Sequence, residues 1–472
     1  MDADGRGTTE TQLLVIGGGP GGYTAAFRAA GLGLRTMIVD ERHVLGGAWL
    51  HEGCILSKEL LHLADTIRAA EHASRFGILF DRPRIDVEAV RAGLHRTVRR
   101  FASNLSDLCR EYGIEHISGR AAFDSEREVV IRDNPDIERI RFERAIIATG
   151  GADCPPDRLS TGGERTMSTA EALALPEIPG ALLVVAGRPG ALELASVYAA
   201  LGSRVTVVVD DDQLVPLADV DLVELLREQL TASLEEVCLA TRVASLSETE
   251  TEVRAEFEGR CIPKETSFDR VLIAPARRGC VDGLDLHRTR ISLDESGFIS
   301  VDHQLRTGNP RIQAVGDVIG EPMLALKATH QGRIAAECAA GWGSEFDDRT
   351  VPMVLFTDPQ IAWCGLTEAE ARRQAHPHEV QRTRWAAAGQ STGLHRSEGF
   401  TKIIYEPDTQ LILGLGIVGP NAAELIAEGA LAIQTEAILT DLAATLHPHP
   451  AHGEFICEPG HGSNASRAAG GD

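Results

Sequence analysis

The chain has 472 residues, 43% hydrophobic and 24% charged, a soluble globular composition too long for one ordinary domain. Its formal net charge of −23 argues against nucleic acid or an anionic membrane surface as a partner, since both would repel it. No stretch approaches the ~18 consecutive apolar residues that a bilayer crossing needs.

In chain order, the start Met1-Asp2-Ala3-Asp4-Gly5-Arg6-Gly7 lacks the charged-then-apolar layout of a secretion signal. The nine cysteines are an odd number without a Cys-x-x-Cys pair, so they predict reduced thiols and a cytoplasmic setting. From Leu13 a short apolar run leads into Gly17-Gly18-Gly19-Pro20-Gly21-Gly22, then an Ala-rich amphipathic segment to Ala30, then Thr36–Val39 ending at Asp40. Strand, glycine turn, helix and strand open a dinucleotide-binding fold. Gly17 permits the tight turn, Gly19 admits a pyrophosphate to the helix N-terminus, and Gly22 lets helix and strand pack. Asp40 is placed to accept from a ribose hydroxyl. Further along, Leu45–Lys58 carries a single cysteine, Cys54. Ala145–Gly150, ending in Thr149-Gly150, closes the first unit.

A similar unit recurs near Leu182–Val209, and Ile312–Asp317, ending in Gly316-Asp317, returns to the first. From about Asp347 strand and helix patterns alternate to a loose Gly/Ser/Ala tail. The expected fold is α/β: two Rossmann-like dinucleotide-binding domains, of FAD and NAD type, with a C-terminal α+β dimerisation domain. The boundaries expected are 1–150, 151–275, 276–346 and 347–472.

Leu45-Gly46-Gly47-Ala48-Trp49-Leu50-His51-Glu52-Gly53-Cys54-Ile55-Leu56-Ser57-Lys58 resembles the redox-disulfide segment of dihydrolipoamide dehydrogenases, Gly-Gly-Thr-Cys-x-x-x-x-Cys-x-Pro-Ser-Lys. The resemblance continues through Leu60-Leu61-His62, Val197–Ser203, Ala362–Thr367 and His447-Pro448-His449-Pro450. It implies FAD in the first fold, held by Gly17, Gly19, Gly22, Asp40, Thr149, Gly150, Gly316 and Asp317. Lys58 matches a lysine against the flavin, and Glu193 its partner. In the family one cysteine exchanges with the disulfide substrate and the second faces the flavin. Cys54 falls on the second, Trp49 on the first, and Leu56 replaces the proline. At a helix N-terminus Cys54 is expected to ionise readily; a leftover small residue packed in an apolar spot is the other reading.

The turn of the second unit reads Ala186-Gly187-Arg188-Pro189-Gly190-Ala191, so the family's three glycines become Ala186, Arg188 and Ala191. The acid ending the next strand becomes Val209, although Asp210, Asp211 and Asp212 follow and would repel a 2′-phosphate. NAD(H) is therefore a weaker expectation than FAD, and NADP weaker still. By the same resemblance His449 is an acid–base residue oriented by Glu454, reaching into a partner subunit and implying a homodimer. A metal held by His447, His449 and His452 is not expected.

Three functions stay open. One is a one-thiol redox enzyme acting on a small thiol, disulfide, persulfide, peroxide or lipoyl-type substrate. Another is ordinary dihydrolipoamide oxidation through a substitute thiol such as Cys457. The third is a non-catalytic flavoprotein binding a lipoylated partner.

Overall fold

A seven-stranded sheet carries the N-terminal third of the chain and takes one strand back from residues 312–314. The computed structural model describes residues 7–159, 161–260, 263–385 and 398–456; Cys457 lies outside them. At the sheet's centre Gly7–Ile16 pairs in parallel with Thr36–Asp40 on one side and Ile137–Ile147 on the other. Ile312–Ala314 adds to Ile137–Ile147, with Ile312 opposite Ala145. The segments Leu13–Ile16, Met37–Val39 and Ala145–Ile147 of these strands are continuous apolar runs because apolar clusters cover both sheet faces.

The first crossover helix, α1 (Pro20–Gly31), is amphipathic on small residues, burying Gly21, Gly22, Ala25, Ala26 and Ala29. That smooth face admits a close neighbour, the helix Ala325–Ala339: a Cβ on Gly332 would sit 2.2 Å from the Gly21 carbonyl oxygen. The short helix α2 (Gly47–His51) and the long helices α3 (Cys54–His72) and α4 (Val87–Glu111) follow.

A second, five-stranded parallel sheet runs in the order 236–238, 204–208, 181–186, 270–274, 166–168. Its helices include α5 (Thr169–Leu173), α6 (Gly190–Leu201) and α7 (Val220–Ser233). Helix α3 does not stay with the first sheet. Its Leu56, Leu60, Leu61 and Ala64 join one apolar cluster with Leu192, Leu194, Ala195 and Tyr198 of α6. Each fully buried leucine contributes about 1.5–3 kcal/mol, so the two nucleotide-type units are held by a hydrophobic seam. A two-stranded ribbon, Gly151–Asp153 against Arg277–Gly279, forms a second link.

After α8 (Ala325–Ala339), five antiparallel strands run in the order 353–355, 360–365, 412–419, 400–405, 379–384, with α9 (Glu368–Arg373) and α10 (Ala422–Gln434). Among the described residues no helix is long and apolar enough to cross a membrane.

Candidate active site

The glycine turn between Gly7–Ile16 and α1 has the geometry its sequence predicts. Gly17 sits at φ +107°, and a Cβ there would lie 2.3 Å from the Ala148 carbonyl oxygen. A Cβ on Gly22 would lie 1.8 Å from the Gly17 carbonyl oxygen, whereas one on Gly19 meets only Gly47 Cα, at 3.8 Å. The turn is thus closed on its protein side and open where a phosphate approaches. Helix α1 begins at Pro20 with no acid in its first turn and no side chain capping it, so its N-terminal dipole is available to an anion.

Asp40 turns back on this turn: Oδ2 accepts from the Gly18 N–H at 2.5 Å and Oδ1 from the Arg42 N–H at 2.8 Å. Thr149 donates through its hydroxyl to the Cys280 carbonyl at 2.7 Å, and Gly150 takes φ +78°. Gly316, at φ +79°, donates its N–H to Gln331 Oε1 at 2.9 Å. Asp317 pairs with Arg277, 2.5 Å from its Nη1. Turn, helix terminus and acid fit FAD, with Asp40 and Asp317 each already holding protein donors.

Cys54 is the first residue of α3, after Gly53 as N-cap, and is exposed in the cleft. Its environment corrects the expectation of ready ionisation. The protein mass around it pushes the thiol above its ordinary value; Lys58 pulls the other way, and Glu193 and Asp317 oppose ionisation. The residue is nevertheless exposed, so this desolvation is incomplete. One turn along, Lys58 Nζ lies 2.8 Å from Glu193 Oε2, a pair produced by the α3–α6 seam. Phe356 completes it. The Phe356 N–H donates to Glu193 Oε1 at 3.0 Å, and Lys58 Nζ stands 4.0 Å from the centre of its ring. Nothing in the sequence around Phe356 signals that role, because its backbone and ring both act through distant contacts.

Trp49 is half-buried in α2 and meets Phe101 of α4 edge-on, ring centres 6.4 Å apart. A Cβ on Gly53 would lie 3.3 Å from Trp49 Cα, so the α2 backbone at Trp49 runs close to the residue that precedes Cys54. Among the described residues the other thiols lie on other elements: Cys109, Cys238 and Cys364 are buried, Cys338 lies in α8, and Cys154 and Cys280 flank the two-stranded ribbon.

The second nucleotide turn differs in kind from the first. Arg188 folds across it, its Nη2 3.0 Å from Asp153 and 2.8 Å from the Thr169 hydroxyl. Burial holds the guanidinium below its ordinary value, with Asp153 opposing. Pro189, the N-cap of α6, has no N–H to give a phosphate. Beyond Gly190, Ala191 donates to the Arg188 carbonyl at 3.1 Å and Leu192 to the Pro189 carbonyl at 3.0 Å. Val209 is buried, and Asp210–Asp212 lie exposed beyond it. Arg188 and Pro189 thus stand where the first turn has Gly19 and Pro20, with a long side chain in place of the open glycine.

In the C-terminal unit His449 Nδ1 lies 2.9 Å from Glu454 Oε1, and the Ala451 N–H donates to Glu454 Oε2 at 3.1 Å. Phe455 anchors this segment by stacking on the buried Trp385 at 4.7 Å, and Trp385 fits because Gly399 and Gly419 leave room for its ring. His449 is 68% exposed, its Nε2 edge turned away from the carboxylate. His447 instead pairs with Glu428 of α10 at 2.9 Å, a partner the sequence reading missed. Among the described residues no group of three or more His, Cys, Asp or Glu is arranged to hold a metal.

Residues 11–332 match the family model described as pyridine nucleotide-disulphide oxidoreductase, and residues 351–458 match that family's dimerisation domain. The chain is 38% identical over 450 residues to a dihydrolipoyl dehydrogenase of Haemophilus influenzae, covering 95% of this chain and 94% of that one. It is 35% identical over 448 residues to the Vibrio cholerae dihydrolipoyl dehydrogenase, with the same coverage. Among solved structures, LpdA from Mycobacterium tuberculosis superposes with a TM-score of 0.88 at 26% identity, covering 96% of this chain and 99% of that one. The HOCl-induced flavoprotein disulfide reductase RclA from Escherichia coli shares the fold, with a TM-score of 0.83 at 24% identity over 95% of this chain and 98% of that one.

Proposed function

The chain belongs to the pyridine nucleotide-disulphide oxidoreductase family, and from that premise we propose a divergent, dihydrolipoyl dehydrogenase-like oxidoreductase with one thiol, Cys54. It is an FAD-dependent enzyme acting on a sulfur group, working as a cytoplasmic homodimer on a small thiol, disulfide or lipoyl-type substrate. Ordinary NAD-linked dihydrolipoamide oxidation is weak or absent. The observation that carries this reading is Trp49, which stands where the exchange thiol would, its indole packed on Phe101 and its backbone close to Gly53.

FAD, when bound, supplies two-electron redox chemistry. The chain's own residues prepare the sulfur side. Cys54 offers a thiol open to the cleft, and Lys58 favours its anion. Glu193 and the Phe356 ring hold the Lys58 ammonium in place. At His449, Glu454 accepts from Nδ1–H and thereby leaves Nε2 as the basic atom that takes or returns a proton. Glu454 stands below the usual carboxylate range because His449 hydrogen-bonds to it, so it is ionised for that task. The match to the family's dimerisation domain supports the dimer, in which the exposed His449 edge of one subunit would serve the other's cleft.

Stopped-flow mixing of the FAD-loaded protein with NADH, and assays of NAD-linked dihydrolipoamide oxidation, test the reading. Reduction and turnover at ordinary dehydrogenase rates would sink it. Trp49→Cys alone should not bring that activity back, because the second nucleotide turn stays filled by Arg188.

A further inference from the structure

The two-stranded ribbon that links the nucleotide-type units carries a charge on each strand. Asp153 and Arg277 stand directly opposite one another, so their side chains leave the same face. Yet each is engaged mainly elsewhere. Arg277 Nη1 holds Asp317 of the first unit at 2.5 Å, and Nη2 donates to the Gly151 carbonyl at 2.5 Å. Its Nε is buried without a hydrogen-bond partner, and Asp153 Oδ1 stops 3.4 Å away. Asp153 is held back by Arg188 of the second unit, whose Nη2 lies 3.0 Å from each carboxylate oxygen. Arg188 and Arg277 thus compete for one carboxylate.

The result is an alternating row, Arg188, Asp153, Arg277 and Asp317, running from the second turn to the acid expected beside the flavin. None of the four side chains is more than 28% exposed, so solvent and salt screen them less than a surface pair. Asp317 is felt in the cleft, where it opposes ionisation of Cys54. Lys327, the other buried cation near Asp317, is tied to the Gly320 carbonyl at 2.6 Å. Among the described residues that leaves Arg277 as the ion-pair partner of Asp317.

We propose that Asp153 and Arg188 are positioning residues that set the reduction potential of the flavin, by fixing how Arg277 divides its charge between Asp153 and Asp317. Only FAD in the first unit is required, not the one-thiol chemistry. Reduction of the flavin by two electrons and one proton leaves one negative charge on the ring, so a more positive surrounding favours the reduced form. Without Arg188, Asp153 closes on the free Arg277 Nε and draws the guanidinium from Asp317. The row then loses a cation, and Asp317 regains its charge. Without Asp153, Arg277 faces Asp317 alone and the row loses an anion.

The flavin midpoint potential of the FAD-loaded protein, titrated against a reference dye, tests this with two variants. Arg188→Met should lower the equilibrium constant for two-electron reduction at least about threefold, and Asp153→Asn should raise it by as much. Each is a shift of about 14 mV, at 29.6 mV per factor of ten. The double variant should return to within about twofold of the unaltered protein, because it restores the net charge of the row. A purely structural role would move both single variants the same way and the double variant further. That pattern, or unmoved potentials in the single variants, would overturn the proposal. Asp153→Asn keeps the shape of the carboxylate and carries the test alone if Arg188→Met fails to retain FAD. A potential unmoved or lowered by Asp153→Asn overturns the proposal in that case too, and a raised one supports it.

Discussion

Glu193 shows how much one side chain holds together. Its carboxylate is 8% exposed, bonds Lys58 with one oxygen and the Phe356 N–H with the other, and so ties α3, α6 and the strand that follows residue 352. Glu193→Ala removes both bonds and leaves the Phe356 N–H without its acceptor, at a cost of about 1.5–3 kcal/mol. Thermal unfolding should report that loss, and Glu193→Gln, which keeps the acceptor oxygen, should recover part of it; an unchanged melting temperature in Glu193→Ala would contradict the assignment. His449→Gln acts differently. It should slow sulfur-linked turnover by ~10²–10⁴-fold while leaving the flavin spectrum intact, and unaltered rates would remove His449 from the site. The Lys58–Glu193 pair was legible in the sequence because each residue sits in a recognisable motif. Phe356 was not, lying 163 residues from Glu193 in a segment with no signature. Nor were Asp153 and Thr169, which acquire meaning only once Arg188 is seen to reach them.

The two glycine turns are the same element built twice with different chemistry. The first could be read almost completely, since its backbone needs glycine at Gly17 and Gly22 whatever else the chain does. The substitutions in the second were equally visible, yet their consequence was not: the arginine is held in place by two partners, and a 3₁₀-like start uses the N–H groups of Ala191 and Leu192. Arg188→Gly combined with Val209→Glu should therefore create measurable NADH binding where the parent has little. Calorimetry or fluorescence of bound NADH would follow it, and tight NADH binding by the parent would show that the turn opens. In the opposite direction, Gly22→Ala places a methyl 1.8 Å from the Gly17 carbonyl oxygen and should yield protein that fails to retain FAD. Flavin retained at full stoichiometry would contradict this account of the turn.

Across the whole molecule, a buried charge network joins the second nucleotide-type unit to the C-terminal sheet. Lys402, 1% exposed, lies 2.8 Å from Asp219, 3.1 Å from Asp221 and 2.8 Å from Glu368, and Arg382 also pairs with Asp221 and Glu368. No local pattern announces it, because its members come from α7, α9 and two strands. Burial works against the ionised forms of Asp221 and Glu368, but Arg382 and Lys402 outweigh it and hold both carboxyls below their ordinary values. A depressed folded-state value contributes stability above the unfolded carboxylate range, near pH 4, and loses it as pH falls through the folded value. Acid unfolding should accordingly begin below about pH 4, and Lys402→Met, which strands three carboxylates, should move it to higher pH and cost about 3–5 kcal/mol at neutrality. An acid midpoint unmoved by that change would separate the network from stability.

The claim on which the account turns is that one thiol, unpaired, faces the flavin. A paired enzyme must first be reduced before a thiolate stands beside oxidised flavin, whereas Cys54 is a thiol from the start. The visible spectrum of the protein as purified, recorded without reductant from pH 7 to pH 9.5, tests this most directly. Burial raises the Cys54 thiol, so a long-wavelength thiolate-to-flavin absorbance should grow as pH rises, and Cys54→Ser should lack it while keeping FAD. A band that appears only after reductant is added, or one that persists in Cys54→Ser, would contradict the account.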